Sequence, residues 1–135
     1  MQEPRAGTRD KSQNRTVLTT LLSPALFRPL FWLGLLIITG LALIPVENPS
    51  LTREHVDKIN HVAAFVLLVP LLGLAYRISL PRIALLLLGY GLLIEMAQYA
   101  LPYRMFSLFD LAADGVGVLV GGLVFGIGYK VFGGG

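Results

Sequence analysis

Nine polar residues interrupt an otherwise apolar chain at spacings that repeat the turn of a helix. Asp57 and His61 are four apart, Glu95 and Gln98 three, Ser107 and Asp110 three, and Asp110 and Asp114 four. Residues three or four apart share a helical face. Each pair therefore presents two polar groups in one direction. Glu95 lies well inside an apolar run, where an unpaired carboxylate costs several kcal/mol and normally faces a partner or a wet cavity. A carboxyl so placed suits general acid–base work, with His61 as its partner and Asp110 orienting a neighbour. Lys58 and Arg104 are suited to holding a phosphate or carboxylate, Arg104 with the better geometry for two-point contact. Gln98, Ser107, Asp57 and Asp114 complete a candidate substrate-binding set. The competing reading for Ser107 and Asp110 is local: a serine caps a helix, and an acidic group in its first turn is favoured by the helix dipole. His61, Glu95 and the aspartates are also of the types that ligate divalent metals. No short spacing motif demands a metal, so none is assigned, and no cofactor follows from the sequence.

The elements that must position these groups are four apolar runs. They extend from Pro29 to Val46, Ile59 to Tyr76, Ile83 to Leu101 and Leu108 to Phe132. Each approaches or exceeds the roughly 17–25 residues with which a helix crosses a bilayer. Open strands are excluded there, since lipid cannot satisfy their backbone groups. Only 14% of the 135 residues are charged, against about 25% in soluble domains. The expectation is an all-α, integral membrane four-helix bundle. It occupies residues 28–135 behind a polar tail, 1–27, in which Val17, Leu18, Leu21 and Leu22 leave a short interfacial helix open. The first run is too long for a signal-peptide core, ends without a cleavage pattern, and is read as retained. With no cysteine there is no disulfide or thiolate chemistry. The net charge of +3 is too small and scattered to indicate nucleic acid.

Four spans put both termini on one side. That side receives Arg5, Arg9, Lys11, Arg15, Arg28, Arg77, Arg82 and Lys130; the other receives Arg53, Lys58 and Arg104. The bias of basic residues predicts cytoplasmic termini. The second helix then starts, the third ends and the fourth starts on the outer side, which brings His61, Glu95 and Asp114 to one layer, each roughly 6–9 Å inside its helix end. Two G-x-x-x-G pairs in the fourth run, Gly117/Gly121 and Gly122/Gly126, allow close helix approach. Packing within the chain is the preferred reading; a homo-oligomer through this face is the alternative. Pro70 is expected to kink the second span near mid-membrane.

The ordered string Asp57-Lys58-x-x-His61-x-x-x-Phe65, Glu95-x-x-Gln98 and Arg104-x-x-Ser107-x-x-Asp110-x-x-x-Asp114-Gly115 resembles the VanZ-like membrane protein family. The matching region runs from about Asp57 to Gly122. One departure is Asp114, where the family pattern usually has asparagine; a carboxylate there alters the charge of the site. The resemblance implies a small, multi-pass protein of the bacterial inner membrane. It also implies an association with glycopeptide resistance, especially to teicoplanin, without a settled reaction.

Three functional expectations follow. The polar layer could process a membrane lipid or lipid-linked envelope precursor, with Glu95 and His61 as acid and base. It could bind such an amphiphile without chemistry. Or it could lock the helices together while the protein acts through a partner. A transporter fits less well, because the cytoplasmic halves of the runs carry no matching polar path.

Overall fold

The computed structural model describes residues 23–44, 51–102 and 107–133, with the backbone alone for 51–55 and 131–133. Four helices follow in order: α1, Pro24–Leu43; α2, Leu51–Tyr76; α3, Leu80–Tyr99; and α4, Leu108–Gly133. There is no strand among the described residues. All four helices are long and apolar enough to cross a membrane. The bundle is also apolar outward: Leu36, Leu85, Leu93, Leu119, Leu123 and Ile127 are 63–74% exposed. Apolar side chains exposed on every helix mark a surface adapted to lipid. The protein is an all-α, integral membrane four-helix bundle.

Helix boundaries differ from the apolar runs in an instructive way. α1 starts at Pro24, not Pro29, and thus inside the stretch read as tail. Proline stands at its N-terminus, where a missing N–H costs nothing, and Pro29 falls in the second turn. α1 stops at Leu43 because Ile44 precedes Pro45 and is extended, with φ −67° and ψ 134°. α2 begins eight residues ahead of its apolar run, so Asp57 and Lys58 lie almost two turns inside a helix rather than at its lip. The Val17–Leu22 segment lies outside the described residues.

The closest helix pair is α2 with α4, and glycine decides how they meet. A Cβ at Gly117 would fall 2.7 Å from the carbonyl oxygen of Val62, and one at Gly121 would fall 3.0 Å from that of Val66. Farther along, Phe125 of α4 occupies the space a side chain at Gly73 of α2 would need. The Val66 carbonyl is the one that Pro70, lacking an N–H, leaves without its helical donor. α2 nonetheless runs unbroken through Pro70, and the freed carbonyl faces the bare backbone of Gly121. The Gly117/Gly121 face is thus occupied within the chain. Phe65, Leu68, Val69 and Leu72 of α2 form the core with Ile83 and Leu87 of α3 and Val118 of α4.

α1 is peripheral and buries only Phe31. Polar contacts hold it at both ends. Near the α2 C-terminus, Arg28 Nε donates to the Ala75 carbonyl at 3.2 Å and Trp32 Nε1 donates to Tyr76 Oη at 2.8 Å. Near its own C-terminus, the last-turn carbonyl of Ala42 accepts from Gln98 Nε2 at 2.9 Å.

Gly121→Leu is expected to force α2 and α4 apart and to lower stability by about 1–3 kcal/mol, as overpacking does. Gly128→Leu, where a Cβ meets nothing, serves as the control. Thermal unfolding of both variants in detergent checks this, and equal midpoints would contradict the packing described.

Candidate functional site

The α3–α4 connection sets up one end of the bundle. Ser107 caps α4: its Oγ accepts the Asp110 N–H at 3.2 Å. In a full capping box the acidic residue three positions on would reach back to the cap's own N–H. Here that N–H donates instead to Glu95 Oε2 of α3, at 3.0 Å. Glu95 thereby joins two helices. Gln98, one turn beyond Glu95, is committed to the Ala42 carbonyl of α1. Both side chains are buried, Glu95 completely.

Deeper in the same layer, His61 Nδ1 and Asp114 Oδ1 are 2.8 Å apart. A neutral imidazole that donates from Nδ1 to this carboxylate keeps its lone pair on Nε2. Asp114 reaches this position because α3 offers no side chain at Gly91; a Cβ there would collide with Asp114 Oδ2. The His61 ring and the Asp57 and Asp110 carboxylates also come together, their ligand-type atoms all within 4.8 Å of one another. Lys58 extends over the Phe109 ring, 5.8 Å from its centre, where the ring quadrupole attracts its charge. Two buried carboxylate oxygens, Glu95 Oε1 and Asp114 Oδ2, have no hydrogen-bond partner among the described residues.

Asp57, His61 and Asp114 form the polar end of a cavity of about 310 Å³. Its remaining walls are mostly apolar, from Ile38 and Leu41 of α1, Ala64 and Phe65 of α2, and Ile94 of α3. The volume is at the small end of the range for ligand pockets. Tyr90 also lines it and, at mid-helix, pairs its hydroxyl with that of Thr39 of α1 at 2.8 Å. Thr39 in turn donates to the Leu35 carbonyl at 2.8 Å.

The VanZ/LLP1 family model matches residues 9–129. The chain belongs to the VanZ/LLP1 family. No curated protein and no solved structure matches it.

Within this VanZ/LLP1 chain the sequence-derived residues other than Lys58, which lies over Phe109, fall into three groups. Asp57, His61, Asp110 and Asp114 converge around the imidazole. Glu95, Gln98 and Ser107 serve helix ends: Glu95 accepts the Ser107 N–H, Gln98 donates to the Ala42 carbonyl and Ser107 caps α4. Arg104 lies outside the described residues. Asn60 and Tyr90, which the spacing argument passed over, line the cavity. Tyr90 did leave a signal, a hydroxyl set between two glycines in "LLLLGYGLLIE".

The Ser107 contact makes a clear distinction between two substitutions at Glu95. Glu95→Gln keeps an acceptor oxygen and is expected to fold with little loss. Glu95→Leu strands the Ser107 N–H and is expected to cost about 1–3 kcal/mol. Thermal melts of the two purified variants decide it; a glutamine variant as unstable as the leucine one would overturn this role for Glu95.

Proposed function

We propose that this VanZ/LLP1 protein is a bacterial plasma-membrane protein with both termini cytoplasmic, and that it takes the headgroup region of an amphiphilic envelope lipid into the cavity lined by residues of all four helices. The observation that carries this is the cavity's composition: an imidazole and carboxylates at one end, and aliphatic and aromatic walls leading from it between membrane helices. An amphiphile has the same division. The resemblance to proteins associated with resistance to teicoplanin, a lipid-tailed glycopeptide, agrees with a lipid or lipid-linked precursor as the ligand class.

His61, rather than Glu95, is the group placed to exchange a proton with such a ligand. Its ring is oriented by Asp114, as a base is oriented by a third group in hydrolytic sites, and it lines the cavity. Glu95 is a positioning residue, since it holds the cap of the helix that carries Asp110 and Asp114. Binding alone accounts for the geometry; a reaction would require His61 Nε2 to reach a transferable proton.

A second reading rests on Glu95 and Gln98, whose described hydrogen bonds join helices. On that reading the polar layer is scaffold, and the protein acts by contacting a partner.

Ala64→Trp separates the two, because it fills the cavity from α2 and leaves the polar layer intact. In native mass spectrometry with a bacterial total lipid extract, the parent chain is expected to retain a phospholipid or polyprenyl-phosphate adduct and the variant to lose it. Equal adducts on a folded variant would remove the cavity from the account. The orientation has its own check. A periplasm-dependent reporter fused to the C-terminus is expected to be silent and a cytoplasm-dependent one active; the reverse would invert the topology.

A further inference from the structure

The His61 ring has more arranged around it than an amphiphile pocket needs. Asp57 lies one turn before it on α2, and Asp110 arrives from the first turn of α4. Their carboxylates and the imidazole place three ligand-type atoms within 4.8 Å of one another. Two carboxylates that close repel when ionised, most strongly where water is scarce. Asp114 Oδ1 lies 2.8 Å from His61 Nδ1, and the residue is only 1% exposed. Its second oxygen has no partner among the described residues.

We infer that Asp57, His61 and Asp110 form a site for a divalent transition cation, Zn²⁺ or Mn²⁺, with Asp114 as the orienting carboxylate behind the histidine. Three features carry it together. First, the donor set of one imidazole and two carboxylates suits borderline divalent metals better than calcium, which takes six to eight oxygens. Second, the Asp114–His61 pair has the carboxylate–histidine–metal arrangement, in which the outer carboxylate fixes the tautomer and raises the basicity of the nitrogen facing the ion. Asp114 is buried, and its second oxygen has no partner among the described residues. Third, the ligands come from two helices whose backbones approach closely at Gly117 and Gly121. Three protein ligands leave coordination positions open, as in catalytic rather than structural zinc sites. The open side is toward the cavity that Asp57 and His61 line, where a bound ion would meet an oxygen ligand such as water or a phosphate. The inference goes beyond lipid binding and does not depend on it.

The test uses the full chain purified in detergent, stripped with EDTA and dialysed. Reloading with Zn²⁺ or Mn²⁺ is expected to restore about one equivalent per chain, read by elemental mass spectrometry, and to raise the melting temperature. Co²⁺ is expected to give visible d–d bands from a low-symmetry N/O site. Asp57→Asn and Asp110→Asn should each abolish stoichiometric retention. Asp114→Asn should keep the site but weaken affinity roughly 10–100-fold, the usual effect of losing an outer carboxylate. Glu95→Gln, outside the ligand set, should retain the metal. Because each asparagine variant is nearly isosteric, circular dichroism is expected to match the parent. No stoichiometric metal and no melting shift with Zn²⁺, Mn²⁺ or Co²⁺ would overturn the inference. So would retention unaffected by both Asp57→Asn and Asp110→Asn.

Discussion

Everything at the polar end of this bundle depends on one constraint: a buried carboxylate in a membrane helix must be answered from a neighbouring helix. Asp114 is answered by His61 at 2.8 Å and Glu95 by the Ser107 N–H at 3.0 Å. Lipid offers no alternative partner, so leaving either group unanswered would be costly. These two contacts fix α4 in depth and rotation against α2 and α3. The glycines then determine how closely the backbones settle. Gly117 and Gly121 permit α4 to lie on α2, and Gly91 permits Asp114 to lie on α3. Polar register and small-residue packing are thus two parts of one arrangement, each useless without the other.

The same constraint divides the polar residues by role. A group whose hydrogen-bonding capacity is met by another helix's backbone is part of the frame. Gln98 is the clearer case, since the α1 terminus leaves the Ala42 carbonyl without a helical donor and the glutamine amide supplies one. Glu95 is similar in its Oε2. The residues around His61 differ, because there carboxylates face an imidazole and one another rather than peptide groups. The capping residue Ser107 connects both sets. Its N–H goes to Glu95, while its Oγ accepts from the N–H of Asp110, whose carboxylate lies beside His61.

Much of the architecture was legible in the sequence because the membrane imposes simple rules. Four apolar runs become four helices, since no other described element satisfies the backbone in lipid. The helix starts were less legible. Hydropathy measures what lipid accepts, whereas a helix continues wherever backbone and side chains permit, so α2 extends through polar residues 51–58 that read as a loop. α1 runs ahead of Pro29 even though that proline, in the second turn, leaves the Ala25 carbonyl without its helical donor. For the polar layer, spacing identified which residues share a face but not which atoms meet. That Glu95 would bond the cap of α4 depends on the α3–α4 connection bringing Ser107 to it, a tertiary fact without a local signature. Tyr90 and Asn60 escaped notice because neither carries charge, although both line the cavity.

The bundle is unequal in a way that bears on access to the cavity. α2, α3 and α4 share the buried core, while α1 contributes Phe31 and forms a cavity wall through Ile38 and Leu41. What locates α1 is chiefly directional: Arg28 and Trp32 at one end, Thr39 against Tyr90 midway, and Gln98 at the other end. Hydrogen bonds of this kind contribute modestly to net stability, about 1 kcal/mol each, but specify position strongly. The His61–Asp114 pair joins α2 to α4 without a contact from α1 among the described hydrogen bonds. A site held by α2 and α4, with one wall held mainly by hydrogen bonds, keeps its polar groups fixed while leaving the apolar approach the least constrained part of the fold. Substitutions in α1 should therefore alter entry of an amphiphile before they alter the groups that would receive it.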